Sequence, residues 1–196
     1  AKTTHVQCGD KIFPEHFIFY NNPEIIGWNQ TPFDDELVRT KKFPIIENGI
    51  MKHFLYSRSS ANLQNIEPGG NGIRRPVLIE DITDAPVRDS MIGIEICEGK
   101  QHSREIISKM KNAIIVNNVL GLHGADISRS AFSTTISDGF AVKNGEIIGS
   151  LKPGKWNISG SLFGDNSLFK EVQCSQDRLL TGTGLIPYMV TSAKIC

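Results

Sequence analysis

The chain has 196 residues, 39% of them apolar and 21% charged, and its 21 Lys and Arg balance its 21 Asp and Glu. That composition supports a packed core and argues against a disordered chain. It leaves no cationic surplus for a phosphate backbone, so nucleic acid is not an expected partner.

In chain order, "KIFPEHFIFY" (Lys11–Tyr20) is aromatic-rich and reads as a strand broken at Pro14. "NNPEIIGWNQTPFDDE" (Asn21–Glu36) reads as a long ordered loop. "FPIIENGIMKHFLY" (Phe43–Tyr56) carries Asn48-Gly49 between β-prone runs. It predicts a two-residue hairpin, because a type I′ turn needs positive φ at both central residues. "SRSSANLQ" (Ser57–Gln64) predicts one or two helical turns, and "NIEPGGNGIRRP" (Asn65–Pro76) a flexible segment. "VLIEDI" and "MIGIEIC" read as strands.

The spacing of Ile106, Ile107, Met110 and Ile114 predicts a helix over Ser103–Ile114, capped by Ser103. "IIVNNVLGLHGADIS" begins as a strand and passes into a glycine-containing loop. "ISDGFAVKNGEIIGSL" (Ile136–Leu151) predicts a second hairpin, turning at Asn144-Gly145. A short helix is expected at Asn166–Val172 and a closing strand at Gly184–Ile195. The class is α+β: mostly antiparallel sheet with tight Asn-Gly hairpins and about two helices, in one domain spanning 1–196.

No apolar run reaches the about 20 residues that a membrane-spanning helix needs. The N-terminus has neither a secretory signal pattern nor an initiating Met, so the chain is expected to begin within a longer protein. Cys8, Cys97, Cys174 and Cys196 are scattered and read as reduced thiols in a cytoplasmic protein. No two of His5, His16, His53, His102 and His123 lie on adjacent helical turns, so no local metal pair exists. The carboxylates of "DDE" (Asp34–Glu36) and "EDITD" (Glu80–Asp84) read as solvated charged faces. His123 in "GLHG" stands between glycines that would let a ligand approach the backbone, although a loop needing positive φ explains the same residues.

The longer block "GLHGADISRSAFSTTISDGFAVKNGEIIGSL" (Gly121–Leu151) resembles the C-terminal half of the TldD/PmbA family, once called modulators of DNA gyrase. Its Gly/His loop, its Asp126-Ile127-Ser128 step, Phe132-Ser133 and the strand running into Glu146 carry the likeness. "GDKIFPEHFIFYNNPEIIGWNQTPFDDELVRTKKFPIIENGIMKHFLYSRSSANL" (Gly9–Leu63) is similar to the PmbA branch, and "GTGLIPYMV" resembles the closing strand. "IRRPVLIEDITDAPVRDSMIGIEIC" fits the family poorly, marking a divergent member.

The resemblance implies a peptidase system of two related subunits, of which this chain looks like the C-terminal domain. One subunit, TldD, holds zinc with His-Glu-x-x-x-His and a late Cys; the PmbA or TldE type lacks that set and pairs with it. The region matching the late Cys reads "LLTGTGLIP" (Leu179–Pro187), without a cysteine, and the His-Glu motif would lie upstream of Ala1. The implied function is a non-catalytic subunit acting on unfolded peptide, with no cofactor of its own and zinc only in a TldD-type partner. Self-association as a dimer is the other expected assembly. The candidate ligand-binding residues are His123, Gly124, Asp126 and Ser133. The alternatives are the C-terminal half of an active metallopeptidase and a stand-alone binding module.

Overall fold

The structure, a computed structural model, describes residues 6–26, 30–74, 81–126, 130–161, 167–182 and 184–195. Its elements in chain order are β1 (Phe19–Asn21), β2 (Phe43–Glu47), β3 (Ile50–Met51), α1 (Arg58–Gln64), β4 (Gly72–Arg74), β5 (Val87–Asp89), β6 (Ile94–Ile96) and α2 (Ser103–Ser108). There follow β7 (Asn112–Leu120), a 3₁₀ turn (Leu122–Gly124), β8 (Ala131–Lys143), β9 (Glu146–Ser150), β10 (Asn157–Ser161), β11 (Gln173–Leu180), β12 (Gly184–Val190) and β13 (Lys194–Ile195). Strands predominate, two α-helices interrupt them, and all strand pairings but one are antiparallel among the described residues. The α+β expectation therefore holds.

The strands form a six-stranded sheet in the order β11-β12-β6-β1-β2-β3, and a second sheet in which β8 lies between β7 and β10. β9 pairs with the far end of β8, and β4 with β5. The parallel pair is β12 against β6, in register at Leu185 and Glu95.

Both Asn-Gly pairs predicted to turn hairpins do so. Asn48 and Gly49 have φ of 53° and 74°, and Asn144 and Gly145 have 51° and 82°. Glu47 pairs with Ile50 and Lys143 with Glu146 across them. Each tip is also docked: the amides of Asn144 and Gly145 donate to the carbonyls of Lys111 and Met110, both at 2.8 Å.

The aromatic run Lys11–Tyr20 is a strand only from Phe19. The Phe17 amide donates to the Pro14 carbonyl at 2.9 Å, closing a turn. That turn stacks the Phe13 and Phe17 rings 4.5 Å apart and brings Phe169 within 5.0 Å of Phe13. With Ile45, Ile46, Met51, Ile96, Val172 and Cys174 they form the core on the six-stranded sheet. Burying a Phe is worth about 1.5–3 kcal/mol, so core formation overrides local strand propensity here.

The long helix expected at Ser103–Ile114 ends at Ser108, with His102 rather than Ser103 at its N-cap. The next residues are claimed by β8: Ile114 pairs with Ala141 and Ile115 with Phe140. β-branched residues favour that ladder, and the Met110 and Lys111 carbonyls are occupied by the hairpin tip. The helix expected at Asn166–Val172 is instead a series of turns over its described part, 167–172. The Val172 amide donates to Phe169, and both residues join the core. The Gly-rich stretch expected to be flexible is packed between 70 and 72, where Gly70, Asn71 and Gly72 are buried; its last residues, and those of "VLIEDI" up to Glu80, lie outside the described part. Helix α1 forms as expected, capped by the Ser57 hydroxyl accepting from the Ser60 amide. Cys8, Cys97 and Cys174 are unpaired.

A Cβ at Gly145 would stand 2.4 Å from the Ser108 carbonyl oxygen. Gly145→Val therefore combines a left-handed backbone with a backbone clash. Its unfolding free energy should fall by roughly 1 kcal/mol or more, read by chemical denaturation. An unchanged stability would show that the tip is not held as described.

Candidate functional site

The loop joining β7 to β8 carries three of the four residues singled out by sequence. Gly121 opens it at φ 93°, and His123 and Gly124 form the 3₁₀ turn behind it. Asp126 closes it by two backbone bonds with Ala131, at 2.9 and 3.1 Å. Ser133 lies two residues farther along β8, exposed, opposite Ser159 of β10. Gly124 and Asp126 thus share one loop, and Ser133 sits on the strand that leaves it. A Cβ at Gly121 or Gly124 would meet no atom within 4 Å. The positive φ at Gly121 is a turn requirement, not a close approach to other described atoms.

This loop stands at one end of an open sheet. All five residues of β9 are exposed, including Ile147 at 56% and Ile148 at 62%. Both lie where the β9 pairing shifts register, Val142 opposite Ile147 and Ala141 opposite Gly149, and their apolar surface is uncovered. Val116, Leu120, Leu122 and Trp156 add to it. The edges of the six-stranded sheet are shielded: residues 9–12 bond along β3, and Gly99 and Gln101 bond along β11. By contrast, nine-residue β7 has no strand on its outer side among the described residues. Its register shifts around Asn117 and Asn118, where Asn117 Nδ2 donates to Asp138 Oδ2 at 3.0 Å.

Sequence reasoning missed two polar centres. The Asp34–Glu36 run is not a solvated face. Asp34 is 4% exposed, and its carboxylate accepts the amides of Glu36, Val38 and Gly72 at 3.0, 2.9 and 2.8 Å. Asp35 takes the Arg74 amide at 2.6 Å and Glu36 the Arg58 amide at 2.7 Å. The signal was an Asp in a proline-containing loop, whose carboxylate can accept the amide two residues on in an Asx turn. The described part of the second acidic run is partly self-bonded, with Asp81 Oδ1 accepting the Thr83 amide at 2.9 Å.

The other centre is Glu95, alone between Ile94 and Ile96. It accepts from Asn22 Nδ2 at 2.7 Å and pairs with Lys42 at 2.5 Å and Arg178 at 3.3 Å. Burial pushes its carboxyl up, but the Lys42 and Asn22 hydrogen bonds and both cations outweigh burial and hold it below its usual value.

A cavity of about 500 Å³ is lined by His102, Ser103, Arg104, Glu105 and Asp177. There Asp177 Oδ1 takes the Ser103 amide at 2.7 Å and lies 3.3 Å from His102 Nδ1. The Ser103 hydroxyl and amide bonds lower the Asp177 carboxyl to about 2. His16 Nε2 lies 2.8 Å from the Val172 carbonyl oxygen, and His53 sits edge-on to Phe43. Burial, then neighbouring Cys97, raises the Cys174 thiol to about 11. No three His, Cys, Asp or Glu side chains converge on an ion position among the described residues.

Open antiparallel wing, packed six-stranded sheet and the ordered sequence blocks together define a metallopeptidase-family C-terminal domain. The profile of the PmbA/TldA metallopeptidase C-terminal domain matches residues 3–194, and the chain belongs to that family. A metalloprotease of Methanocaldococcus jannaschii is 28% identical over 172 residues, covering 87% of this chain and 36% of that protein. The metalloprotease PmbA homolog of Haemophilus influenzae is 27% identical over 142 residues, covering 71% and 27%. The crystal structure of TldE from Thermococcus kodakarensis superposes with a TM-score of 0.81 at 25% identity, covering 94% of this chain and 40% of that one. The chain thus spans about two fifths or less of the length of these relatives.

Two outcomes test the polar centres. Asp34→Asn leaves buried amides facing a poorer acceptor, and hydrogen bonds to a charged group contribute roughly 1.5–3 kcal/mol each. The variant should lose about 2–3 kcal/mol in urea unfolding; a loss under about 0.5 kcal/mol would show the bonds to be dispensable. Glu95 and Asp177 have folded values below their usual 4.5 and 3.8. Their stabilisation is present above those values and lost as pH falls through the folded ones. Stability should drop below pH 4.5, and Glu95→Gln should flatten the upper part of that drop. A wild-type profile level through this range would contradict the ion-pair assignment.

Proposed function

We propose that this chain is the C-terminal domain of a non-catalytic, TldE-type subunit that works with a TldD-type zinc metallopeptidase and holds unfolded peptide for it. The observation that carries the reading is the open β7–β8–β9 wing on a fold similar to TldE. An extended peptide can add to a free strand edge through main-chain hydrogen bonds, with little demand on sequence. β7 offers such an edge, and the loop with His123, Gly124 and Asp126 stands at its end, with Ser133 just beyond. The cysteine-free stretch "LLTGTGLIP" supports the non-catalytic branch.

One observation favours a second reading, the C-terminal half of an active enzyme: relatives at comparable identity include one named as a TldD homolog. The sequence upstream of Ala1 separates the two through the presence or absence of His-Glu-x-x-x-His.

The expected outcome is that the purified chain binds no stoichiometric zinc and cleaves no peptide, while cleavage occurs with a TldD-type partner. Metal analysis followed by a peptidase assay with and without that partner reads this. One zinc per chain, with chelator-sensitive cleavage by this chain alone, would overturn the non-catalytic reading.

A further inference from the structure

The sequence contains three Asn-Gly pairs: Asn48-Gly49, Asn71-Gly72 and Asn144-Gly145. Asn-Gly is the sequence most open to spontaneous deamidation, because no side chain hinders attack by the glycine nitrogen. The nitrogen loses its proton to water or hydroxide and bonds to the Asn Cγ. The Cγ–Nδ2 bond breaks, and ammonia leaves with a proton from solvent. Water then opens the succinimide to Asp or isoaspartate. Water is the only co-reactant, and no oxidation occurs.

In the folded chain all three glycine nitrogens are engaged. Gly49 donates to the Phe17 carbonyl at 3.0 Å and Gly145 to the Met110 carbonyl at 2.8 Å. Gly72 donates to the Asp34 carboxylate at 2.8 Å. Reaction therefore requires local opening, and its rate at each site is set by how readily that site opens.

The three surroundings differ. Asn71 is fully buried, with its own side-chain amide donating to the Ser90 carbonyl at 3.1 Å. The Asp34 carboxylate also opposes formation of an anion at Gly72. Gly145 is half-buried on the Ser108 backbone, whereas Asn48, itself exposed, precedes a buried Gly49 seated on the Phe13–Pro14 backbone. Opening there disturbs the aromatic core. Asn144 is exposed, and the strand that follows it is exposed at every residue. Two amide bonds to Met110 and Lys111 hold the tip.

We propose that Asn144 is the first site of deamidation in this protein, and that the isoaspartate product releases the β8–β9 tip from the end of α2. Isoaspartate inserts a methylene into the main chain. The amides at 144 and 145 then cannot both reach the carbonyls of 111 and 110, and the Lys143–Glu146 register is lost.

The test is incubation of the full chain at mildly alkaline pH, folded and in urea, followed by peptide mapping with mass spectrometry that separates Asp from isoaspartate. In urea the three pairs should react at similar rates. In the folded chain Asn144 should react at least about ten-fold faster than Asn48 or Asn71, a difference of about 1.4 kcal/mol in opening. Comparable rates at all three sites, or reaction first at Asn48 or Asn71, would overturn the ranking. Hydrogen exchange at residues 144 and 145 reads the second part. Protection should be lost in the isoaspartate fraction and kept in Asn144→Asp, which adds the carboxylate without lengthening the chain. Protection retained in the isoaspartate fraction would overturn the release.

Discussion

One carboxylate organises the segment between β1 and β2 and the glycine-rich stretch that follows α1. Asp34 is nearly inaccessible to water, yet it accepts three main-chain amides, two from its own loop and one from Gly72. Charged acceptors make hydrogen bonds about twice as strong as neutral ones, and buried amides must find some partner. From this point the order propagates. Gly72 starts β4, β4 pairs with β5, and Asp89 at the end of β5 takes the Ser57 amide and the Ser60 hydroxyl, both at 2.7 Å. The start of α1 is thus held by Asp89 and Glu36, acids contributed from both sides of it in sequence.

What was legible in the sequence was local and what was not was tertiary. The Asn-Gly hairpins could be read because their geometry is dictated by two residues that tolerate positive φ. Helix α1 could be read as helical turns over Ser57–Gln64, and the hydroxyl of Ser57 within that stretch supplies its cap. The Lys11–Tyr20 run has the propensity of a strand, but Phe13 and Phe17 are needed by a core that residues near 170 complete. The Ser103–Ile114 stripe had helical spacing, yet Ile114 and Ile115 are equally good ladder residues, and β8 supplied the ladder. Acidic residues gave the least away, because a carboxylate on a solvated face and one collecting amides look the same until the amides are in place.

The candidate site divides in the same manner. The loop around His123 and Asp126 was visible because glycines punctuate it. The open edge of β7 was not, since no residue type announces that a strand will lack a neighbour. Asn117 and Asn118 interrupt the apolar run of β7 where its register shifts, and such irregularities are a known way of restraining uncontrolled edge pairing. Among the described residues the wing thus pairs an open strand edge with a feature that limits indiscriminate pairing.

The parallel contact between β6 and β12 joins residues 94–96 to residues 184–190 in one sheet. Phe169, Val172 and Cys174, from the same late part of the chain, pack on Phe13 and Phe17. Synthesis runs from the N-terminal side, so the Phe13–Phe17 turn must wait, uncovered, until Phe169 and Val172 have been made. Long-range closure of this kind is slow and exposes apolar surface meanwhile. A nascent chain stalled before Phe169 would present an unfinished sheet and bare phenylalanines, a natural client for a holdase chaperone.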